Sequence, residues 1–493
     1  MPCITFSGIL ILKLLFPGFA AAYAPVHSSD SSAIYRHSGK DIIMDKFSSD
    51  FLLGAATAAH QVEGNNTHSD YWAMEQMEHT SFTEPSLDAV DHYNRYQEDI
   101  RLMAQAGLNA YRFSVEWARI EPSEGAFDDA QAEHYLDVIR CCKEHGLEPV
   151  VTLHHFSSPA WLISKGGWEA ESTVEYFARY VRYIVGKLGS QLRYICTINE
   201  ANMGIQVAAI AKRYMQQMMA QAARAQASSQ NMSSGAPAES SGQPVSRKDD
   251  SDGSVQVGIN LEKMLAGQKE AAAENLKVFG VEKVENFTSM RTPEGDKIVC
   301  LAHQAARKAI RELCPHIQVG LTLSLHDIQA LPGGEAAAAK EWDEEFTHYL
   351  PYIKDDDFLG VQNYTRSLTG PEGQVPAPED AELTQMNYEF YPQALEHVIR
   401  KASADFPGDL IVTENGIATG DDTRRIAFIE EALAGVQRCI RDGLPVRGYF
   451  HWSLMDNFEW QKGYSMTFGL IAVDRSTQTR HPKESLAYLG SFR

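Results

Sequence analysis

The chain has 493 residues, and its 44 basic and 65 acidic side chains give a formal net charge of −21 with the 17 histidines neutral. That balance excludes the clustered positive charge of a phosphate-backbone binder, so no nucleic-acid partner is expected. At 44% hydrophobic and 10% aromatic residues the chain can bury a large core, which excludes a mostly disordered protein.

Length alone allows about three domains, or one enlarged α/β barrel. The 7 cysteines include adjacent Cys141 and Cys142 but no C-x-x-C pair, so neither a disulfide framework nor a cysteine zinc site can be read. In chain order, residues 1–43 come first as an N-terminal extension or weak signal peptide. The apolar run Ile9–Phe16 contains Lys13 and lacks the usual preceding positive charge. A folded protein starting near Met44 would be cytoplasmic; a working signal in residues 1–24 would make it secreted or periplasmic. No run reaches the roughly 20 apolar residues of a spanning helix, so no membrane partner is expected.

Eight short β-rich runs follow: Phe51–Gly54, Ala110–Phe113, Pro149–His154, Tyr194–Ile198, Gln318–Leu323, Phe358–Gln362, Leu410–Thr413 and Arg447–His451. Amphipathic helices are predicted between them at Val90–Ala106, Asp129–His145, Ser172–Lys187, Ile298–Leu313 and Asp422–Asp442. Gly107, Gly146, Gly189 and Gly443 are placed to end helices in the left-handed cap conformation. A further helix, Gly204–Gln226, carries Met215, Met218 and Met219, which read as packing and not as a metal site. The segment Ser228–Ser254, rich in Ser, Gly, Asp, Gln and Pro, reads as a mobile low-complexity surface insertion. Strands alternating with helices predict the α/β class: a single (β/α)8 TIM barrel over residues 44–493, with its active site at the C-terminal strand ends.

Polar residues fall where that fold puts chemistry. The strand regions lead into Gln61 and Glu63, Arg112 and Trp117, His154-His155, Asn199-Glu200, Gln362-Asn363-Tyr364, Glu414-Asn415, and Trp452 with Glu459-Trp460; only the fifth lacks an obvious group of this kind. Glu200 and Glu414 end strands on opposite sides of the barrel. Paired carboxylates suit glycoside hydrolysis, one as proton donor and one as nucleophile or base. Trp117, Trp168, Trp452 and Trp460 offer flat faces for sugar C–H surfaces, and Gln61, His155, Asn199 and Glu459 offer hydrogen bonds to hydroxyls. His154 and His155 are adjacent on a strand and point oppositely, so they do not share a metal ion; no metal or cofactor is implied.

The motifs FLLGAATAAHQVEG (51–64), YRFSVEWARI (111–120), TINE (197–200), DFLG (357–360), VTENG (412–416) and HWSLMDNFEW (451–460) resemble those of glycoside hydrolase family 1, the β-glucosidase and β-galactosidase family. The resemblance runs over essentially all of residues 46–490. It implies a retaining mechanism, with Glu414 as nucleophile, Glu200 as acid/base, and carboxyls about 5–5.5 Å apart. It further implies that Arg112 and Tyr364 support the nucleophile, and that Asn199 meets the sugar 2-hydroxyl. Gln61 and His155 would bind the 3- and 4-hydroxyls and Glu459 the 4- and 6-hydroxyls, beside Trp452 and Trp460. The expected substrates are small β-glycosides or short oligosaccharides with terminal β-D-glucosyl, and also β-D-galactosyl or β-D-fucosyl, residues; Glu459 would repel a 6-phosphate. A homo-oligomer is allowed.

The chain departs from the family pattern at Ala201, where proline is usual, which would free a backbone N–H and loosen the turn after Glu200. It departs also at Leu53, Phe156 and Gln362-Asn363-Tyr364. Two alternatives stand beside hydrolysis: a transglycosidase using the same intermediate, and a non-catalytic sugar-binding barrel.

Overall fold

Eight parallel strands close on one another in chain order: β1 Leu52–Ala56, β2 Ala110–Ser114, β3 Glu148–Thr152, β4 Tyr194–Cys196, β5 Gln318–Ser324, β6 Phe358–Gln362, β7 Asp409–Asn415 and β8 Val446–Trp452. The last pair closes the ring, with Gly448 opposite Leu52 and Trp452 opposite Ala56. This computed structural model describes residues 32–37, 40–232 and 268–493. The run Ile9–Phe16 lies outside the described residues, as does the part of the expected insertion after Met232. Upstream of the barrel, Ser32–His37 and Lys40–Asp45 pair antiparallel.

Each strand is buried on both sides, which is why it reads as a short apolar run without clean alternation. Along β2, Tyr111 and Phe113 join the outer core under the helices, while Ala110 belongs to the cluster lining the barrel. Arg112 shares the inward side with Ala110. Phe358 and Phe450 plug the interior. Gly54 and Gly320 make room for them, since a Cβ would stand 2.9 Å from the Phe450 ring and 2.7 Å from the Phe358 ring.

The outer helices are α1 His92–Ala106, α2 Asp129–Glu144, α3 Ser172–Leu188, α4 Pro293–Leu313, α5 Glu335–Glu345, α6 Ala394–Asp405, α7 Asp422–Arg441 and α8 Glu484–Gly490. On α3 the buried stripe is Phe177, Tyr180, Val181, Ile184, Val185 and Leu188, the spacing of one helix face. Burying each such side chain stabilises the fold by roughly 1.5–3 kcal/mol. No helix among the described residues is long and apolar enough to cross a membrane.

Two sequence expectations are corrected here. Gly107, Gly146 and Gly443 take positive φ values of 96°, 75° and 87°, but Gly189 stays right-handed at φ −60° and opens the 3-10 turn Gly189–Gln191. Its missing side chain serves packing instead, because a Cβ would lie 2.6 Å from Cys314 Sγ. The helix after β4 runs Met203–Met232, longer than expected, and Met215, Met218 and Met219 are exposed on it. Among the described side chains its packed stripe is Met203, Val207, Ile210 and Ala211 with Tyr214 at the edge, and these exposed methionines are not core.

Candidate active site

Glu414 stands near the end of β7, where the register slips between Val412 and Glu414 against β6. Such an irregularity re-aims side chains. It leaves the Thr413 carbonyl available to Arg112 Nη1, 3.2 Å away. The same nitrogen donates to Glu414 Oε1 at 2.6 Å, and the Tyr364 hydroxyl donates to Oε2, also at 2.6 Å. Both carboxylate oxygens of Glu414 are thus held by strong donors. Burial raises its pKa, and Arg112 and Tyr364 work against that rise.

Glu200 is held through its backbone. β4 is only three residues long, and the chain then turns with Glu200 at φ 42°. The Glu200 N–H donates to Thr322 Oγ1 at 2.9 Å, and the Ala201 N–H donates to the Thr322 carbonyl at 3.0 Å. The expectation that Ala201 leaves a free N–H and a looser turn is therefore corrected: that N–H is bonded and the turn is tied to β5. The fifth strand also contributes after all, through Thr322, with Ser324 beside the Glu200 carboxyl. Burial and then the charge of Glu414 push the Glu200 pKa well above the carboxylate range. The pair is unsymmetrical in a definite sense. Glu414, beside the cation, ionises first, and Glu200 keeps its proton.

Hydrogen-bond logic orients the polar side chains around the two carboxyls. Arg112 Nη2 donates to Asn199 Oδ1 at 2.6 Å, which turns the Asn199 amide nitrogen toward His155 Nε2 at 3.1 Å. That imidazole nitrogen must accept, so the ring proton sits on Nδ1. Burial and the Arg112 charge hold His155 neutral. Gln362 Nε2 donates to the same Asn199 oxygen at 2.7 Å. Gln61 Nε2 donates to the Phe458 carbonyl at 2.7 Å and to Glu459 Oε2 at 3.2 Å. Among the buried polar atoms without a protein partner are His155 Nδ1, Gln61 Oε1 and Gln362 Oε1. One donor and two acceptors beside a carboxylate pair suit a polyhydroxylated ligand.

Trp452 lies nearly parallel to His155, 5.7 Å between centroids, and Trp460 stacks on His60 at 5.8 Å and 4°. His60 is fixed by Glu75 at 2.7 Å. All ten residues assigned from the sequence (Gln61, Arg112, His155, Asn199, Glu200, Tyr364, Glu414, Trp452, Glu459 and Trp460) are buried, and hydrogen bonds, ring contacts or mutual electrostatic influence join them at this end of the barrel. Trp117 and Trp168 do not belong with them. Trp117 stacks on Tyr180 and donates to Glu121, and Trp168 donates to Ser158 beside His154, so both are core. His154 is core too, lying between Trp168 and Phe287, with burial lowering its pKa to about 3. Thr322 went unnoticed in the sequence, and Gln362 was singled out there only as a strand-end polar residue with no role assigned. The signal was present as polar residues inside the apolar runs FLGVQ and QVGLTLS.

A family model described as Glycosyl hydrolase family 1 matches residues 43–493. The chain is 30% identical over 499 residues to the Beta-glucosidase of Agrobacterium sp., an overlap of 89% of this chain and 94% of that protein. It is 29% identical to Beta-glucosidase A of Thermotoga maritima, covering 89% and 96%. Among solved structures, beta-glycosidase BGL167 superposes with a TM-score of 0.76 at 44% identity, covering 90% of this chain and 96% of that one.

Proposed function

The chain belongs to glycosyl hydrolase family 1 and is a retaining β-glycosidase of the β-glucosidase type; from that premise we propose that Glu414 is its nucleophile and Glu200 its acid/base. The observation that carries the assignment is the unequal treatment of two buried carboxyls. Glu414 is bonded by Arg112 and Tyr364, while for Glu200 burial and the charge of Glu414 outweigh the opposing charge of Arg112 and favour its protonated form.

In the first step Glu414 attacks the anomeric carbon as the bond to the leaving oxygen breaks, and Glu200 delivers its proton to that oxygen. Esterification removes the negative charge of Glu414, so the Glu200 pKa falls. Glu200 then takes a proton from water as the water oxygen attacks the anomeric carbon and the ester bond breaks. The sugar leaves with its configuration retained. Asn199 has a second amide N–H for the 2-hydroxyl, and His155 Nδ1–H and Gln61 Oε1 complement hydroxyls farther round the ring. The substrates are small β-glycosides, glucosides first, with galactosides and fucosides also accommodated. Residues 44–493 act as one catalytic domain.

The test is proton NMR of 4-nitrophenyl β-glucoside hydrolysis, read alongside rates on β-galactoside and β-fucoside. β-Glucose is expected as the first-formed anomer. α-Glucose first, or no turnover of any of the three, would overturn the reading.

A further inference from the structure

The turn carrying Glu200 opens the longest connection between a barrel strand and its helix. The chain leaves β4, passes through the helix Met203–Met232, and returns by Gln268–Phe279 before α4 begins at Pro293. Where it returns, Arg291 reaches back to where it left. The Arg291 backbone N–H donates to the Gly204 carbonyl at 3.1 Å. Its guanidinium donates through Nη1 to the Ala201 carbonyl at 2.6 Å and through Nη2 to the Phe287 carbonyl at 2.5 Å. Gly204 makes this approach feasible, because a Cβ there would stand 2.7 Å from the guanidinium carbon.

The guanidinium is fixed on its other sides too. The Phe287 ring lies 4.5 Å from its central carbon, and the Asp296 carboxylate lies 3.8 Å from Nη1. Asp296 is itself held by the Tyr349 hydroxyl at 2.7 Å and by His348 at 3.0 Å. Arg291 directly precedes Thr292, the N-cap of α4, whose hydroxyl accepts from the Gly295 N–H and donates to Glu169. A side chain only 2% exposed thus carries a charge whose burial is costly, one residue away from the acid/base.

Thr322 and Arg291 therefore grip the turn from two sides. Thr322 takes the Glu200 and Ala201 N–H groups, and Arg291 takes the Ala201 carbonyl. We propose that Arg291 is a positioning residue for Glu200, fixing the peptide after the acid/base where the resembled family uses a proline. The inference rests on Glu200 being the acid/base. A group that aims a proton donor matters in proportion to how much the leaving oxygen needs the proton.

The test compares Arg291→Met, Arg291→Lys and Glu200→Ala by kcat/KM, which reports formation of the glycosyl-enzyme, on 2,4-dinitrophenyl and phenyl β-glucosides. For Arg291→Met a loss of about 30-fold on the phenyl glucoside and under about 3-fold on the dinitrophenyl glucoside is expected. Arg291→Lys, which keeps one donor, should recover part of the phenyl rate, and it serves alone if the methionine variant does not fold. Equal losses on both substrates, or none on either, would overturn the inference. Glu200→Ala separates the two failures. Without the leaving-group split in that variant, the assignment of Glu200 falls; with it there and absent at Arg291, only the positioning role falls.

Discussion

Arg112 and Glu414 form an ion pair at 2.6 Å between side chains only 1% and 4% exposed. The same guanidinium holds Asn199, so one cation fixes both the proposed nucleophile and the amide expected at the 2-hydroxyl. Lysine cannot span the two partners. Arg112→Lys should lower kcat/KM on 4-nitrophenyl β-glucoside by about 100-fold or more, with near-native circular dichroism. A loss of only a few-fold would contradict this role.

Tyr364→Phe removes the donor to Glu414 Oε2 and leaves the ring packing. That bond stabilises the ionised carboxylate, so its loss raises the Glu414 pKa. The acid limb of the kcat/KM profile should move to higher pH, and the plateau should fall by about 10- to 100-fold. An unmoved acid limb would show that Tyr364 does not act on Glu414.

The barrel and its paired carboxyls were legible because both are short-range facts: eight apolar runs, and polar residues just beyond them. What sequence concealed depends on partners far along the chain. Ala201 looked like a loosened turn because its acceptor is the Thr322 carbonyl of another strand. Trp117 and Trp168 looked like sugar platforms because the rings that pack against them, Tyr180 and Phe287, come from distant parts of the chain. Gln362 stood out as a strand-end polar residue and a departure from a pattern, but with no role. Its acceptor role follows only once Arg112 has oriented Asn199 and Asn199 has oriented Gln362.

Two buried carboxyls away from the chemistry set a pH dependence of stability. Burial pushes Asp70 and Glu116 each up to about 7. Unfolded, they titrate near about 4. Between those values the folded state holds protons that the unfolded state has released, so stability falls as pH rises from about 4 to 7, by roughly 4 kcal/mol per carboxyl at most. Asp70→Asn and Glu116→Gln keep the acceptors used by the Ser158 and Ala118 N–H groups. In denaturant melts from pH 5 to 8 the double variant should lose less stability than the native protein. An unchanged slope would contradict the shifts.

Glu459 Oε2 accepts from Gln61 Nε2 at 3.2 Å, and the proposed function puts this pair against the sugar. Its charge repels a phosphate dianion, so 4-nitrophenyl β-glucoside should exceed its 6-phosphate in kcat/KM by about 100-fold or more, a difference of roughly 3 kcal/mol. Glu459→Ser should narrow that ratio. Equal rates on the two substrates in the native enzyme would exclude this role.

The most direct test of the catalytic assignment is trapping with 2-deoxy-2-fluoro-β-glucosyl fluoride followed by peptide mass spectrometry. Stoichiometric inactivation with the label on Glu414 is expected. Label on another residue, or continued turnover with no label, would contradict the assignment of Glu414 as nucleophile.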